Sequence, residues 1–259
     1  MIVDTHIHFT DEKYTDIIED VLDRAYSNNV NLLYIIACDK KSTYEVLDFC
    51  DKYNNYKNIK TYPIIGLHPQ EVNFESDKDL NWLKELLINQ KAIAIGEIGI
   101  DLYWDKSNLD LQIAYFKKQL DFAKEFNLKV SIHSREAIQI TYDILKEYKG
   151  VSGVIHCFSG SVEMAKEFIK LGYKLGIGGV LTYKNSNLYK VIEAIDLKHF
   201  VTETDGPYLS PVPYRGKTNE PTYIKEIIKK ISEIKGLDYN EVEDILYQNA
   251  LELFGEKND

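Results

Sequence analysis

Two rhythms of apolar residues alternate along the chain. Short, nearly continuous apolar runs are separated by longer stretches in which apolar residues recur every three or four positions. The short runs predict strands at 2–6, 31–37, 60–67, 92–97, 128–133, 153–156, 173–177 and 200–204. The longer stretches predict helices at 14–27, 43–53, 80–89, 109–126, 136–148, 162–171, 188–195, 223–234 and 240–254. Within 14–27 the apolar stripe is Ile17, Ile18, Val21, Leu22 and Ala25, one face of a 3.6-residue repeat.

Repeated strand–helix alternation implies parallel strands joined by helical crossovers. The strand segments are apolar on both parities, as expected where helices cover one face of a sheet and a core fills the other. Eight such units in 259 residues predict an α/β chain folded as a single-domain (β/α)8 TIM barrel spanning 1–259. A doubly wound open sheet is the competing arrangement, but no GxGxxG follows the first strand. No Pro/Gly/Ser-rich linker or shift in composition divides the chain.

Composition changes this picture only in part. With 44% hydrophobic and 28% charged residues the chain can fill a globular core. A net charge of -10 argues against a broad basic face for nucleic acid. It leaves a phosphodiester substrate open if bound cations invert the field locally. The three cysteines, Cys38, Cys50 and Cys157, have no CxxC spacing, which fits reduced thiols in a cytoplasmic protein. No signal-peptide pattern opens the chain, and no apolar run approaches the ~20 residues of a membrane span.

Candidate chemistry lies at the strand ends. His6 and His8 close the first strand, His68 follows the third, and Glu97 closes the fourth. His133 and His156 end the fifth and sixth, and Asp205 follows the eighth. In a barrel all of these sit on the C-terminal face, where active sites of this fold are built. An isolated His-x-His is as readily an ordinary pair. Five of six histidines at strand ends, joined by two carboxylates, predict a metal site; His199 precedes the eighth strand and is read as structural. The expected arrangement is two divalent cations. His6, His8 and Asp205 would hold one, His133 and His156 the other, with Glu97 bridging. Two carboxylates against two such ions leave the site near about +2, attractive to a phosphodiester. Four histidines suit Zn, Mn, Ni or Fe. By strand parity Asp4 and Glu203 point inward, each to accept a ligand histidine's second N–H or to pair with a barrel lysine. The run Gly176-Ile177-Gly178-Gly179 is either a phosphate nest or a tight turn. The turn is favoured because no Lys-Ser/Thr follows.

Several blocks in order carry a family resemblance: Asp4-Thr5-His6-Ile7-His8, Gly66-Leu67-His68-Pro69, Gly96-Glu97-Ile98-Gly99-Ile100-Asp101 and His133-Ser134-Arg135-Glu136-Ala137. His156-Cys157-Phe158-Ser159-Gly160, Glu203-Thr204-Asp205-Gly206-Pro207 and Arg215-Gly216-Lys217-Thr218-Asn219-Glu220-Pro221 continue them. In these the chain resembles the TatD family of metal-dependent deoxyribonucleases, amidohydrolase-like barrels, over nearly its whole length. The resemblance places the family's metal ligands on the same six residues, His6, His8, Glu97, His133, His156 and Asp205. It implies hydrolysis of phosphodiester bonds in DNA, with activity supported by Mg. The expected substrate is single-stranded or free-ended DNA, trimmed by water activated between two metals, with Asp205 as general base beside Glu97. His68 would bind phosphate or protonate the leaving oxygen. Arg135 and Arg215 would contact phosphate or pair with surface carboxylates. Phe158, Tyr103, Trp104 and Tyr208 would stack on bases or simply pack. Ile100 stands where leucine is usual, and Leu102-Tyr103-Trp104 replaces a more aromatic run, which bears on substrate preference rather than chemistry. Competing functions are a dinuclear hydrolase of another bond (an aminoacyl-tRNA ester, an amide or a lactone) and a non-catalytic metal-binding scaffold.

Overall fold

Parallel strands follow one another around a barrel in chain order in the computed structural model, which describes residues 1–73 and 79–255. They are β1 (Ile2–Ile7), β2 (Val30–Ile36), β3 (Lys60–Ile65), β4 (Ala94–Asp101), β5 (Lys129–Arg135), β6 (Gly153–Ile155), β7 (Lys174–Ile177) and β8 (Phe200–Thr202). Each pairs in parallel with the next. The ring closes between β1 and the segment after β8. There Asp205 N donates to His6 O at 3.0 Å and His8 N to Gly206 O at 2.8 Å. The barrel is therefore joined at the residues with the most chemistry.

The crossover helices are α1 (Ile18–Ser27), α2 (Lys40–Tyr53), α3 (Asn81–Ile88), α4 (Leu109–Glu125), α5 (Ile138–Glu147), α6 (Val162–Lys170), α7 (Leu188–Ala194) and α8 (Ile224–Lys235). Their apolar stripes bury against the outer faces of the strands in one continuous core. A further helix, α9 (Tyr239–Phe254), has another task. Tyr247, Ala250, Leu253 and Phe254 pack against Val3, Leu32, Tyr34, Tyr62, Ala94 and Val201, the side chains that fill the barrel. Asn249 Nδ2 donates to Leu197 O and Phe200 O, at 2.7 and 2.8 Å, and Tyr34 Oη donates to Gly255 O at 2.7 Å. α9 thus seals the N-terminal mouth and leaves the C-terminal mouth for function.

Two boundaries differ most from the sequence expectation. The segment 14–27 becomes helical only at Ile18, because Glu12–Tyr14 form a 3-10 turn capped by Asp11. β4 does not stop at Glu97: residues 98–101 stay buried and pair with β5 as far as Asp101 opposite Arg135. The β4–β5 register is irregular between Ile95 and Ile98. Such a break resets which residues face inward, and Glu97 points into the barrel although Ala94 also does. Among the described residues no helix is long and apolar enough to cross a membrane.

Candidate metal centre

Glu97 lies at the middle of the C-terminal mouth, buried, with its two oxygens turned to different histidines. Oε2 is 3.3 Å from His6 Nε2 and 3.6 Å from His8 Nε2. Oε1 is 2.6 Å from His133 Nδ1 and 3.8 Å from His156 Nε2. Asp205 Oδ1 faces His8 Nε2 and His156 Nε2, each at 3.5 Å, and His6 Nε2 at 3.9 Å. The six residues expected at the site are thus brought together from β1, β4, β5 and the ends of β6 and β8.

The histidine ring nitrogens that face away from Glu97 each lie beside another polar group. His6 Nδ1 is 3.3 Å from Ser131 Oγ, and His8 Nδ1 is 3.7 Å from Cys38 Sγ. His133 Nε2 meets Asp101 Oδ2 at 3.0 Å. His156 Nδ1 lies 3.0 Å from Glu203 Oε1, without the directed geometry of a hydrogen bond. A partner on the outer nitrogen fixes the tautomer and leaves the inner lone pair for a cation. Ligands held about 2.0–2.2 Å from one ion stand roughly 3–3.5 Å from one another. His6, His8, Glu97 and Asp205 are spaced 3.1–3.9 Å apart in the pairs given above and in His6 Nε2 to His8 Nε2. The donor set, imidazole nitrogens with two carboxylates, therefore fits divalent transition metals.

Local backbone places these groups. Gly99 has φ +150°, and a Cβ there would lie 1.9 Å from His133 O, so only glycine lets β4 approach β5 this closely. Asp205 sits in the left-handed region at φ 56°, a conformation aspartate tolerates better than most residues. The run from Gly176 to Gly179 packs on the chain's own atoms: a Cβ on Gly176, inside β7, would fall 2.4 Å from Glu203 Oε2, and one on Gly179 2.1 Å from Leu209 O. These contacts favour the tight-turn reading over the phosphate nest.

The electrostatics follow from burial and neighbours. Burial opposes ionisation of Glu97, but His156, His68, His6 and His133 outweigh it and hold its carboxyl well below the usual range. Burial likewise opposes the charge on Asp205, and His156, His8 and His6 reverse the balance, holding it low. Burial, helped by the neighbouring His133 and His8, pushes His68 down to about 3 against the pull of Glu97 and Asp101, so it is neutral. His68 Nδ1 accepts from Gln70 N at 3.2 Å, which puts its hydrogen on Nε2, 3.7 Å from Glu97 Oε1. His8, His133 and Asp205 form the more open side of the cluster, with 13–16% of their side chains exposed.

Some expected residues are placed differently. Asp4 does not reach a histidine ring: its carboxylate accepts from Thr204 N, Thr204 Oγ1 and the backbone N of His6. The β1–β2 register breaks between Asp4 and Ile7, so parity does not carry Asp4 onto the face of His6. Phe158 is buried against Phe168 and unavailable to a base. Arg135 and Arg215 are exposed, and among the described residues neither forms an ion pair. Their guanidinium groups lie 3.7 Å over the Tyr103 ring and 4.1 Å over the Tyr183 ring. Asp101, Ser131 and Cys38 were not singled out from sequence. Asp101 had a signal, since it ends the same apolar run as Glu97; Ser131 and Cys38 had none.

The sequence model described as TatD related DNase matches residues 3–255. The chain belongs to the TatD family. It is 38% identical to the uncharacterized metal-dependent hydrolase YabD of Bacillus subtilis, over 98% of this chain and 99% of YabD. The crystal structure of YjjV, a TatD homolog from Escherichia coli K12, superposes with a TM-score of 0.91 at 31% identity, covering 99% of this chain and 98% of YjjV. A TatD family hydrolase from Entamoeba histolytica gives a TM-score of 0.87 at 26% identity, covering 98% and 97%. In TatD terms the Glu97 cluster lies at the mouth of a barrel shared over the full length of these relatives.

Proposed function

We propose that the chain is a metal-dependent phosphodiesterase that trims single-stranded or free-ended DNA. The observation that supports it best is the division of Glu97, with one oxygen toward His6 and His8 and the other toward His133 and His156. A carboxylate so placed suits two divalent ions, His6, His8 and Asp205 holding one and His133 and His156 the other. The TatD related DNase family supplies the substrate class. Bound cations would supply an acidified water and polarise a phosphoryl oxygen.

The chain's own groups account for the rest. Asp205 is ionised and more open than Glu97, so it receives the proton of the attacking water on its carboxylate. His68, neutral with its hydrogen on Nε2, donates to a non-bridging phosphate oxygen; its low proton affinity disfavours the alternative of protonating the leaving oxygen. Arg135 and Arg215 present N–H edges to flanking phosphates while their planes rest on tyrosines.

The test is digestion of end-labelled single-stranded, linear duplex and closed circular DNA with Mg2+, Mn2+ or Zn2+. We expect release of short products from free ends, and a loss of at least about a hundredfold in Asp205→Asn, the scale of a general base. Cleavage undiminished in that variant would remove Asp205 from the reaction. Hydrolysis of an acyl ester with none of DNA would assign the same cluster to another bond.

A further inference from the structure

Beside the cluster stands an aromatic feature that the proposed chemistry does not use. Trp104 is 69% exposed and Tyr103 48%, and their rings meet edge to face with centroids 4.8 Å apart. Arg135 lies over Tyr103 at 3.7 Å and 5.7 Å from the Trp104 ring centroid. Large aromatics left in water forgo burial worth about 25 cal/mol per Å² of apolar surface, and here two are fixed there by the backbone. Asp101 Oδ1 accepts from Tyr103 N at 2.8 Å, and the Trp104 amide also bonds to this carboxylate. Asp101 is itself anchored to α4, its N donating to Gln112 Oε1 at 2.8 Å and its O accepting from Gln112 Nε2 at 3.0 Å.

The same carboxylate reaches the cluster, through Asp101 Oδ2 and His133 Nε2 at 3.0 Å. One buried side chain thus ties the aromatic turn to a histidine of the candidate metal centre. Arg135 follows His133 by two residues on β5 and pairs in register with Asp101. The turn is therefore a fixed neighbour of the reacting centre rather than a distant surface patch.

We infer that Tyr103, Trp104 and Arg135 form a base-stacking subsite, which holds an unpaired base of the strand next to the phosphate being cut. This rests on the nuclease reading and deepens it. A π-surface beside a guanidinium matches a base followed by its phosphate. In a duplex the base faces are occupied by their neighbours, so the subsite selects single-stranded or frayed ends. Stacking discriminates little among bases, so broad sequence tolerance accompanies it.

Trp104 gives a direct readout, because the chain has two tryptophans and the other, Trp82, is buried. Wild-type protein with Mg2+ is titrated with a short phosphorothioate oligothymidylate and with an abasic strand of equal length, followed by tryptophan fluorescence and by anisotropy of a labelled strand. We expect quenching by the base-bearing strand only, retained in Trp82→Phe and lost in Trp104→Phe. On natural single strands Trp104→Ala raises KM about tenfold, the scale of one lost stack, with kcat within about twofold. Trp104→Phe recovers most of the KM. Equal quenching by the abasic strand, binding without quenching, or an unchanged KM in Trp104→Ala would each overturn the subsite while DNA cleavage leaves the nuclease reading standing. No binding and no cleavage of any DNA would sink both.

Discussion

Replacing Glu97 by glutamine tests the centre most sharply. The amide keeps the shape, loses the charge and turns one oxygen into a donor. In the metal-free protein that donor meets an imidazole lone pair, for His133 Nδ1 lies only 2.6 Å away and the opposite ring nitrogen is held by Asp101. Burial disfavours the Glu97 charge, but the surrounding histidines outweigh that cost, so removing the charge loses net favourable electrostatics, about 3–5 kcal/mol for one partner of a buried pair. The metal-free variant should therefore melt below the wild type. Metal widens the gap. At a free metal concentration a thousandfold above Kd, binding stabilises the wild type by about 4 kcal/mol, a rise of roughly 10 °C for a chain of this size. A neutral amide offers one oxygen and cannot serve both histidine pairs. Losing even a supporting partner of a ligand costs about 10–100-fold in affinity, so the loss here is at least a hundredfold. What remains is about 1.4 kcal/mol, roughly 3–4 °C. Scanning calorimetry with and without Mn2+ or Zn2+, and elemental analysis of dialysed protein, measure both quantities. Two ions per chain and an undiminished rise in Glu97→Gln would refute the bridging role.

Asp4→Asn should alter the pH dependence of stability. Burial pushes the Asp4 carboxyl up to about 7, against its bonds from Thr204 and His6. Between about pH 4 and 7 the folded chain keeps a proton that the unfolded chain has lost, so stability falls as pH rises through that window, by a few kcal/mol at about 1.4 per unit. Urea unfolding of chelated protein at pH 5 and pH 8 should show this fall shrinking in Asp4→Asn; an equal fall in both proteins would contradict the assignment. Phe254→Ala, which empties the plug against Tyr34 (centroids 4.9 Å apart), should cost about 3–5 kcal/mol in denaturant unfolding and leave KM unchanged. A KM that rises with the loss would mean that α9 shapes the C-terminal mouth as well.

The barrel was legible because its strands are apolar on both parities and its helices carry single stripes, two periods that do not overlap. The ends of the strands were legible for a related reason. A polar or ionisable side chain closing an apolar run has nowhere to go but the rim. What strand arithmetic could not carry was facing across a register break. Parity from His6 sends Asp4 toward a histidine ring, an inference the irregularity in β1 undoes. The irregularity in β4 lets Glu97 face inward together with Ala94, as its place at the strand end requires. The partners of the histidines were illegible for another reason. Ser131 and Cys38 come from β5 and from the turn after β2, and nothing in their own neighbourhoods distinguishes them from ordinary residues.

The acidic composition and the nuclease reading meet at the rim. A net charge of -10 repels a polyanion at long range, yet cations stand around the mouth, each laid on an aromatic ring. Lys13 lies over Tyr208 at 4.7 Å, Arg135 over Tyr103 at 3.7 Å and Arg215 over Tyr183 at 4.1 Å. All six follow or end strands at the C-terminal face. A ring under a cation holds it at a set position. On the proposed nuclease reading, such a surface would favour a short unpaired end over a long duplex, and the negative charge would act in the same direction as the mounted cations.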